Sequence, residues 1–233
     1  CSSDLLTMMS FHTLFVGTVI GFLASAALVL SVSLPSPKPT APRGIYDRTT
    51  RGVRLYLSAP RLRGLLAISL AVAAGGALVI VNTVVFVQAK FGMTQTDTAL
   101  ALAAFGAGSM TIALALPKLL DRLPDRPVML AGASLLGLGT ALAAMLPNYL
   151  WLLPLWFAMG AGYSMAQTPS GRLLRRSSSA EDRPALFAAQ FALSHACWLV
   201  TYPLAGWAGA RFGLPVAALL LAMIAAIGVL AAT

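Results

Sequence analysis

The sequence predicts an all-α integral membrane protein, a helical bundle of seven transmembrane helices. Three observations carry that class. The chain of 233 residues is 58% hydrophobic and only 10% charged, whereas a soluble domain carries roughly 25% charged residues. Its mean hydropathy is +0.83. The apolar residues also fall into continuous blocks close to the roughly 20 residues a bilayer-crossing helix needs. Continuous apolar runs point to helices, because barrel strands alternate with period two.

The spans read in order as Phe11–Leu34, Gly64–Gln88, Thr96–Leu120, Val128–Leu146, Tyr149–Pro169, Ala185–Ala210 and Leu214–Ala231, with no Asp, Glu, Lys or Arg in their interiors. Between the first two, Leu34 to Pro42 is too rich in proline for a helix and reads as a semi-rigid linker. Ile45 to Leu57 then mixes Arg48, Arg51 and Arg54 with Val53, Leu55, Tyr56 and Leu57. It suits a short helix lying in the headgroup layer, or a solvated basic loop. Thr94 to Asp97 has capping-box spacing before the third span, and Ser178 to Glu181 has it before the sixth.

Orientation follows from the basic residues. The loop at 35–63 carries Lys38, Arg43, Arg48, Arg51, Arg54, Arg61 and Arg63. The loop after the third span carries Lys118, Arg122 and Arg126, and the loop after the fifth carries Arg172, Arg175, Arg176 and Arg183. These loops share one side and hold 14 of the 16 basic residues, leaving Lys90 and Arg211 opposite. The positive-inside rule makes 35–63, 118–127 and 170–184 cytoplasmic. The amino terminus then lies outside. Because no targeting segment precedes the first span, helices upstream are expected to be missing.

The net charge of +9 sits in loops facing anionic headgroups, so no nucleic-acid partner is expected; the lipid bilayer is the partner. Cys1 and Cys197 are too few and too far apart for a disulfide framework or metal site. No metal and no cofactor are expected.

Six spans after a long cytoplasmic loop resemble the second half of the major facilitator superfamily. Pro117 to Arg126 is similar to that family's cytoplasmic motif G-x-x-x-D-R-x-G-R-R, with Asp121, Arg122 and Arg126 in matching places. Pro117 and Pro124 replace its glycines, and Asp125 stands where a basic residue is usual. Gly160-Ala-Gly162, Pro169, Glu181 to Arg183, Pro203 to Gly206 and Arg211 to Gly213 resemble the tenth and eleventh helices. Arg51 to Arg63 resembles the entry to the seventh, as in bacterial exporters. The resemblance implies a major-facilitator-like bundle: 1–34 the last transmembrane helix of a missing amino-terminal half, 35–63 the inter-half loop, and 64–233 the six-helix transport domain. Asp121 falls at a helix carboxy terminus, where a carboxylate is disfavoured unless a cation or helix amino terminus faces it. Asp121, Arg122 and Arg126 are therefore either a gating latch between conformations or an ordinary polar loop.

Polar side chains within spans face protein or a water-filled cavity. In the sixth span Gln190, Ser194, His195, Trp198 and Tyr202 share one broad helical face. His195 is a candidate for substrate binding or proton carriage, since histidine exchanges protons near neutral pH, or a neutral ring bonded to a neighbouring helix. Asn82, Thr83, Tyr163 and Gln167 either line a substrate cavity or bond across helix interfaces. Gly75, Gly76, Gly106, Gly108, Gly132, Gly137, Gly139, Gly160 and Gly162 allow close packing. All seven acids lie in loops or at helix ends, so a carboxylate-borne proton path would need the missing half.

The resemblance implies a secondary active transporter moving a small-molecule substrate by alternating access, with proton-coupled efflux across the inner (plasma) membrane as the expected mode. No enzyme is expected. His12 and His195 are far apart in sequence, and Ser194 points about 100° around the helix from His195. A non-transporting membrane scaffold and an intramembrane enzyme remain the competitors.

Overall fold

The computed structural model describes residues 11–32 and 45–233 and divides into two units, Cys1–Ile45 and Tyr46–Thr233. The proline-rich stretch at 34–42 and Cys1 lie outside the described residues. In the first unit, α1 (Phe11–Ser31) is one continuous apolar helix. Its described apolar part, Phe15–Ser31, is shorter than a full crossing.

The second unit holds α2 (Ile45–Ser58), α3 (Pro60–Val84), α4 (Gln95–Leu120), α5 (Asp125–Ala143), α6 (Tyr149–Gln167), α7 (Ser170–Arg176), α8 (Arg183–Phe212) and α9 (Leu214–Ala232). Every predicted span recurs as a helix, with ends shifted by a few residues. By length and composition α3 with its extension to Lys90, α4, α5, α8 and α9 can each cross a membrane. α6 has the length, but two Trp, two Tyr, Pro154 and Gln167 lower its hydropathy.

Local chemistry sets the ends. Pro60 opens α3 at a position where its missing N–H costs nothing. At its far end α3 passes into a π-helical turn, Val85–Lys90, where the Phe91 N–H donates to the Phe86 carbonyl at 3.1 Å. The capping box of α4 forms as the spacing predicts: Thr94 Oγ1 accepts from the Asp97 N–H, and Asp97 Oδ2 accepts from the Thr94 N–H at 2.9 Å. α8 starts at Arg183 with no side-chain cap, where the spacing of Ser178 to Glu181 predicts a box. Ser179 Oγ accepts from the Asp182 N–H at 3.2 Å and donates to Asp182 Oδ2 at 3.0 Å, and Arg51 on α2 holds Asp182 Oδ1 at 2.6 Å. Between α8 and α9, Gly213 takes φ 86° and ψ 164°, a region open essentially to glycine alone.

α3 is the pillar of this unit, packed against α8 and α9 and more lightly against α5 and α6. α6 lies between α4 and α5. Small residues bring the backbones together. A Cβ on Gly108 would stand 1.9 Å from the Phe157 carbonyl oxygen, and one on Gly160 would stand 1.9 Å from that of Phe105. Gly132 and Gly162 face each other's backbones in the same way between α5 and α6. Gly106, by contrast, faces open space. Without a hydrophobic force between helices in lipid, such close approach supplies the dispersion contact that holds them.

Candidate functional site

The charged loops gather at one end of the bundle, and their contacts differ from those the sequence suggested. Asp121 caps α4 and is exposed, as is Arg122. The Asp121 carboxylate accepts no side-chain hydrogen bond among the described residues. The buried acid is its neighbour Asp125, only 7% exposed in the first turn of α5. Arg172 Nε donates to Asp125 Oδ1 at 2.9 Å and Arg176 donates to Oδ2 at 3.0 Å. Both arginines come from α7, so this carboxylate ties the α6–α8 loop to α5. Bonding to Asp125 raises the Arg172 guanidinium above its ordinary value and holds it charged. Arg126 donates to the Ala232 carbonyl at 2.9 Å and also to that of Thr233. A guanidinium at the negative pole of α9 is favourable. The departure of Asp125 from the usual basic residue of the motif was the available signal, since a lone acid among arginines finds partners.

At the same end, α2 forms the short helix its mixed residues suggested, with Tyr56 fully buried. The Tyr56 hydroxyl donates to Gln190 Oε1 on α8, and Gln190 Nε2 donates to Ser69 Oγ on α3 at 3.2 Å. Burial pushes the Tyr56 phenol well above its ordinary value, so it stays a donor. A Cβ on Gly52 would meet the Ala185 carbonyl oxygen at 2.3 Å, so α2 lies directly on the start of α8. Sequence reasoning placed Gln190 on a cavity wall and missed the tyrosine that binds it.

Deeper along the helices, two candidates sit inside interfaces. Asn82 is 2% exposed, and its Nδ2 donates to the Ala205 carbonyl of α8 at 3.3 Å. Thr83 is fully buried; its hydroxyl donates to the Val79 carbonyl and accepts from Trp156 Nε1 at 2.8 Å. Trp156 in turn meets Phe86 edge-on, with ring centroids 5.8 Å apart. Asn82 and Thr83 therefore tie α3 to α8 and α6 and are buried in those interfaces.

The remaining candidates stay accessible. α6 and α8 both rest on α3 but make little contact with each other. Trp198 of α8 lies on Gly76 of α3, where a Cβ would meet its ring at 2.3 Å. Tyr202 lies against Trp198, with ring centroids 4.9 Å apart. Tyr163 of α6 meets Phe105 of α4 edge-on. All three are partly exposed, as is Gln167.

His195 is exposed on α8, its ring stacked on Phe191 at 4.0 Å. Its Nδ1 lies 2.7 Å from the Phe191 carbonyl oxygen. A carbonyl only accepts, so Nδ1 is the donor in this contact. Seven residues at about 100° each put His195 only about 20° from the direction of Tyr202. Ser194 Oγ donates to the Phe191 carbonyl at 3.0 Å and makes no dyad with His195. The face shared by His195, Trp198 and Tyr202 thus persists, while Gln190 turns inward. Among the described residues no group of three or more His, Cys, Asp or Glu could hold a metal ion.

No curated protein and no solved structure matches the chain. A protein-family model, described as Major Facilitator Superfamily, matches residues 64–233. Those residues are α3 from its fifth position through α9, the whole bundle built on the α3 pillar. With its all-helical multi-pass architecture, the chain belongs to the major facilitator superfamily.

Proposed function

We propose that this membrane transporter is a secondary active carrier that exports a small molecule by alternating access in exchange for protons. The six helices α3, α4, α5, α6, α8 and α9 form one wall of the substrate path, and a preceding half of like build forms the other. The observation that carries the reading is the accessible α8 face bearing His195, Trp198 and Tyr202, together with the part-exposed Tyr163 and Gln167 of α6. A transport path needs aromatic and neutral polar groups open to a bound molecule, and a proton-linked step needs a group that can change charge. On this face His195 presents an exposed imidazole. The interiors of its spans hold no Asp, Glu, Lys or Arg, which suits neutral or amphipathic substrates. The clustering of basic residues at one end favours a cytoplasmic placement of that end in a bacterial inner membrane.

The test uses the complete gene in cells stripped of their major exporters, with a panel of fluorescent or radiolabelled compounds. Lower accumulation that an uncoupler abolishes is the expected result. His195→Ala should then raise accumulation towards the empty-vector level, with the protein still present in the membrane. Unchanged accumulation of every compound, with the protein verified in the membrane, would sink the export reading.

A further inference from the structure

At the basic end, a cavity of about 460 Å³ opens between α3, α5, α7 and α9. Its rim carries Arg61, Arg126 and Arg176, and its accessible apolar lining is Pro60 and Leu173, with Leu65, Ile68 and Met129 buried behind them. The single acid on it, Asp125, is already held by Arg172 and Arg176, so the rim is left with an excess of positive charge. Arg61 is exposed and has no hydrogen-bond or ion-pair partner among the described residues. Arg126 spends one guanidinium nitrogen on the carbonyls ending α9 and keeps its other donors. The amino termini of α3 and α5 open at the same end, adding their positive poles.

A cationic rim above an apolar wall, set between helices that cross the membrane, matches a molecule with a charged head and a hydrocarbon tail. We propose that this cavity seats an anionic phospholipid, its phosphate between Arg61 and Arg126 and its upper acyl chain against Pro60 and Leu173. A soluble anion would find the same arginines but no use for the apolar wall. Basic pockets between transmembrane helices bind anionic headgroups by this combination. The site is separate from the α6–α8 face, and it stands whether or not that face carries substrate. A lipid bridging the start of α3 to the start of α5 would brace these two helices.

Gly64 provides a sharp test, because it lines the cavity and a Cβ there would meet only the Ala232 carbonyl oxygen, at 3.8 Å. A large side chain at this position has room to enter the cavity without a backbone clash and leaves every arginine in place. The full chain would be purified in detergent and titrated with phosphatidylglycerol or phosphatidylcholine, with bound lipid counted by native mass spectrometry. One phosphatidylglycerol should be retained in preference to phosphatidylcholine. Each of Arg61→Gln and Arg126→Gln should weaken it on the order of fivefold, and Gly64→Phe should abolish it. Arg175→Gln, an exposed arginine off the cavity, should leave binding unchanged.

Equal retention of both lipids would overturn the proposal. So would equal weakening by Arg175→Gln, which would mean diffuse surface charge, or full binding in Gly64→Phe, which would place the lipid elsewhere. Displacement of the lipid by millimolar inorganic phosphate would instead make this a soluble-anion site.

Discussion

The tightest crossing in the bundle offers a quantitative test. Gly160 of α6 and Gly108 of α4 are reciprocal: a Cβ on either would lie 1.9 Å from a carbonyl oxygen of the other helix, Phe105 or Phe157. Ordinary contact begins near 3.4 Å, so Gly160→Ala falls about 1.5 Å short of the space it needs. The obstacle is backbone within a helix and cannot rotate away as a side chain could. The helices must part, losing dispersion contact along the crossing, which puts the cost at about 2–3 kcal/mol, the upper part of the range for overpacking. For a chain of this size that corresponds to a fall of about 4–12 °C in Tm. The assay is fluorescence-detected size exclusion after heating in detergent. Gly106→Ala serves as the control, since nothing lies within 4 Å of its Cβ and alanine is the better helix former. A Gly160→Ala protein that melts with the native chain would refute the crossing as described.

Three further outcomes follow from contacts already given. Asp125→Asn should cost about 2–3 kcal/mol, less than the 3–5 of a fully buried pair because Arg172 and Arg176 reach water; the same thermal assay checks it, and an unchanged Tm would contradict it. Tyr56→Phe should cost about 1 kcal/mol by leaving Gln190 Oε1 without its donor. The phenol's raised value means the folded state keeps its proton while the unfolded chain loses it, so this group's contribution to native stability should be constant below about pH 10 and fall above it. Tyr56→Phe should lessen that decline, as pH-dependent denaturation would record. Thr83→Val should cost about 1–3 kcal/mol by stranding the Trp156 indole N–H, and adding Trp156→Phe should recover part of the hydrogen-bond loss in a double-mutant cycle.

The spans were legible because lipid demands a continuous apolar run, and the Thr94–Asp97 box because capping is local. The glycines announced close packing, yet only partners on other helices decide that Gly108 is essential and Gly106 idle. The charged loops were harder to read. Asp121 matched the motif, but burial went to Asp125, because α7 places two arginines beside it, and nothing in the spacing of residues 170–176 reveals where that short helix will lie. Asn82 and Thr83 were open to two readings for a related reason: a polar residue in an apolar span needs a partner, and sequence cannot say whether the partner is a neighbouring helix or a solvated path. The α8 face could be read from periodicity, but the inward turn of Gln190 depended on Tyr56, more than 130 residues away.

The Gly108–Gly160 crossing also bears on the order in which the chain is built. α4 leaves the ribosome before its partner exists, and all of α5 must be synthesised and inserted before α6 arrives to meet it. In the interval the glycine notch of α4 has only lipid against it, and acyl chains fill a backbone groove poorly. α6 then enters between two helices already in place, touching both through glycine. Membrane insertion and helix docking are thus separated in time for α4, and a translational pause within residues 121–148 would lengthen its exposure to quality-control proteases without changing the finished molecule.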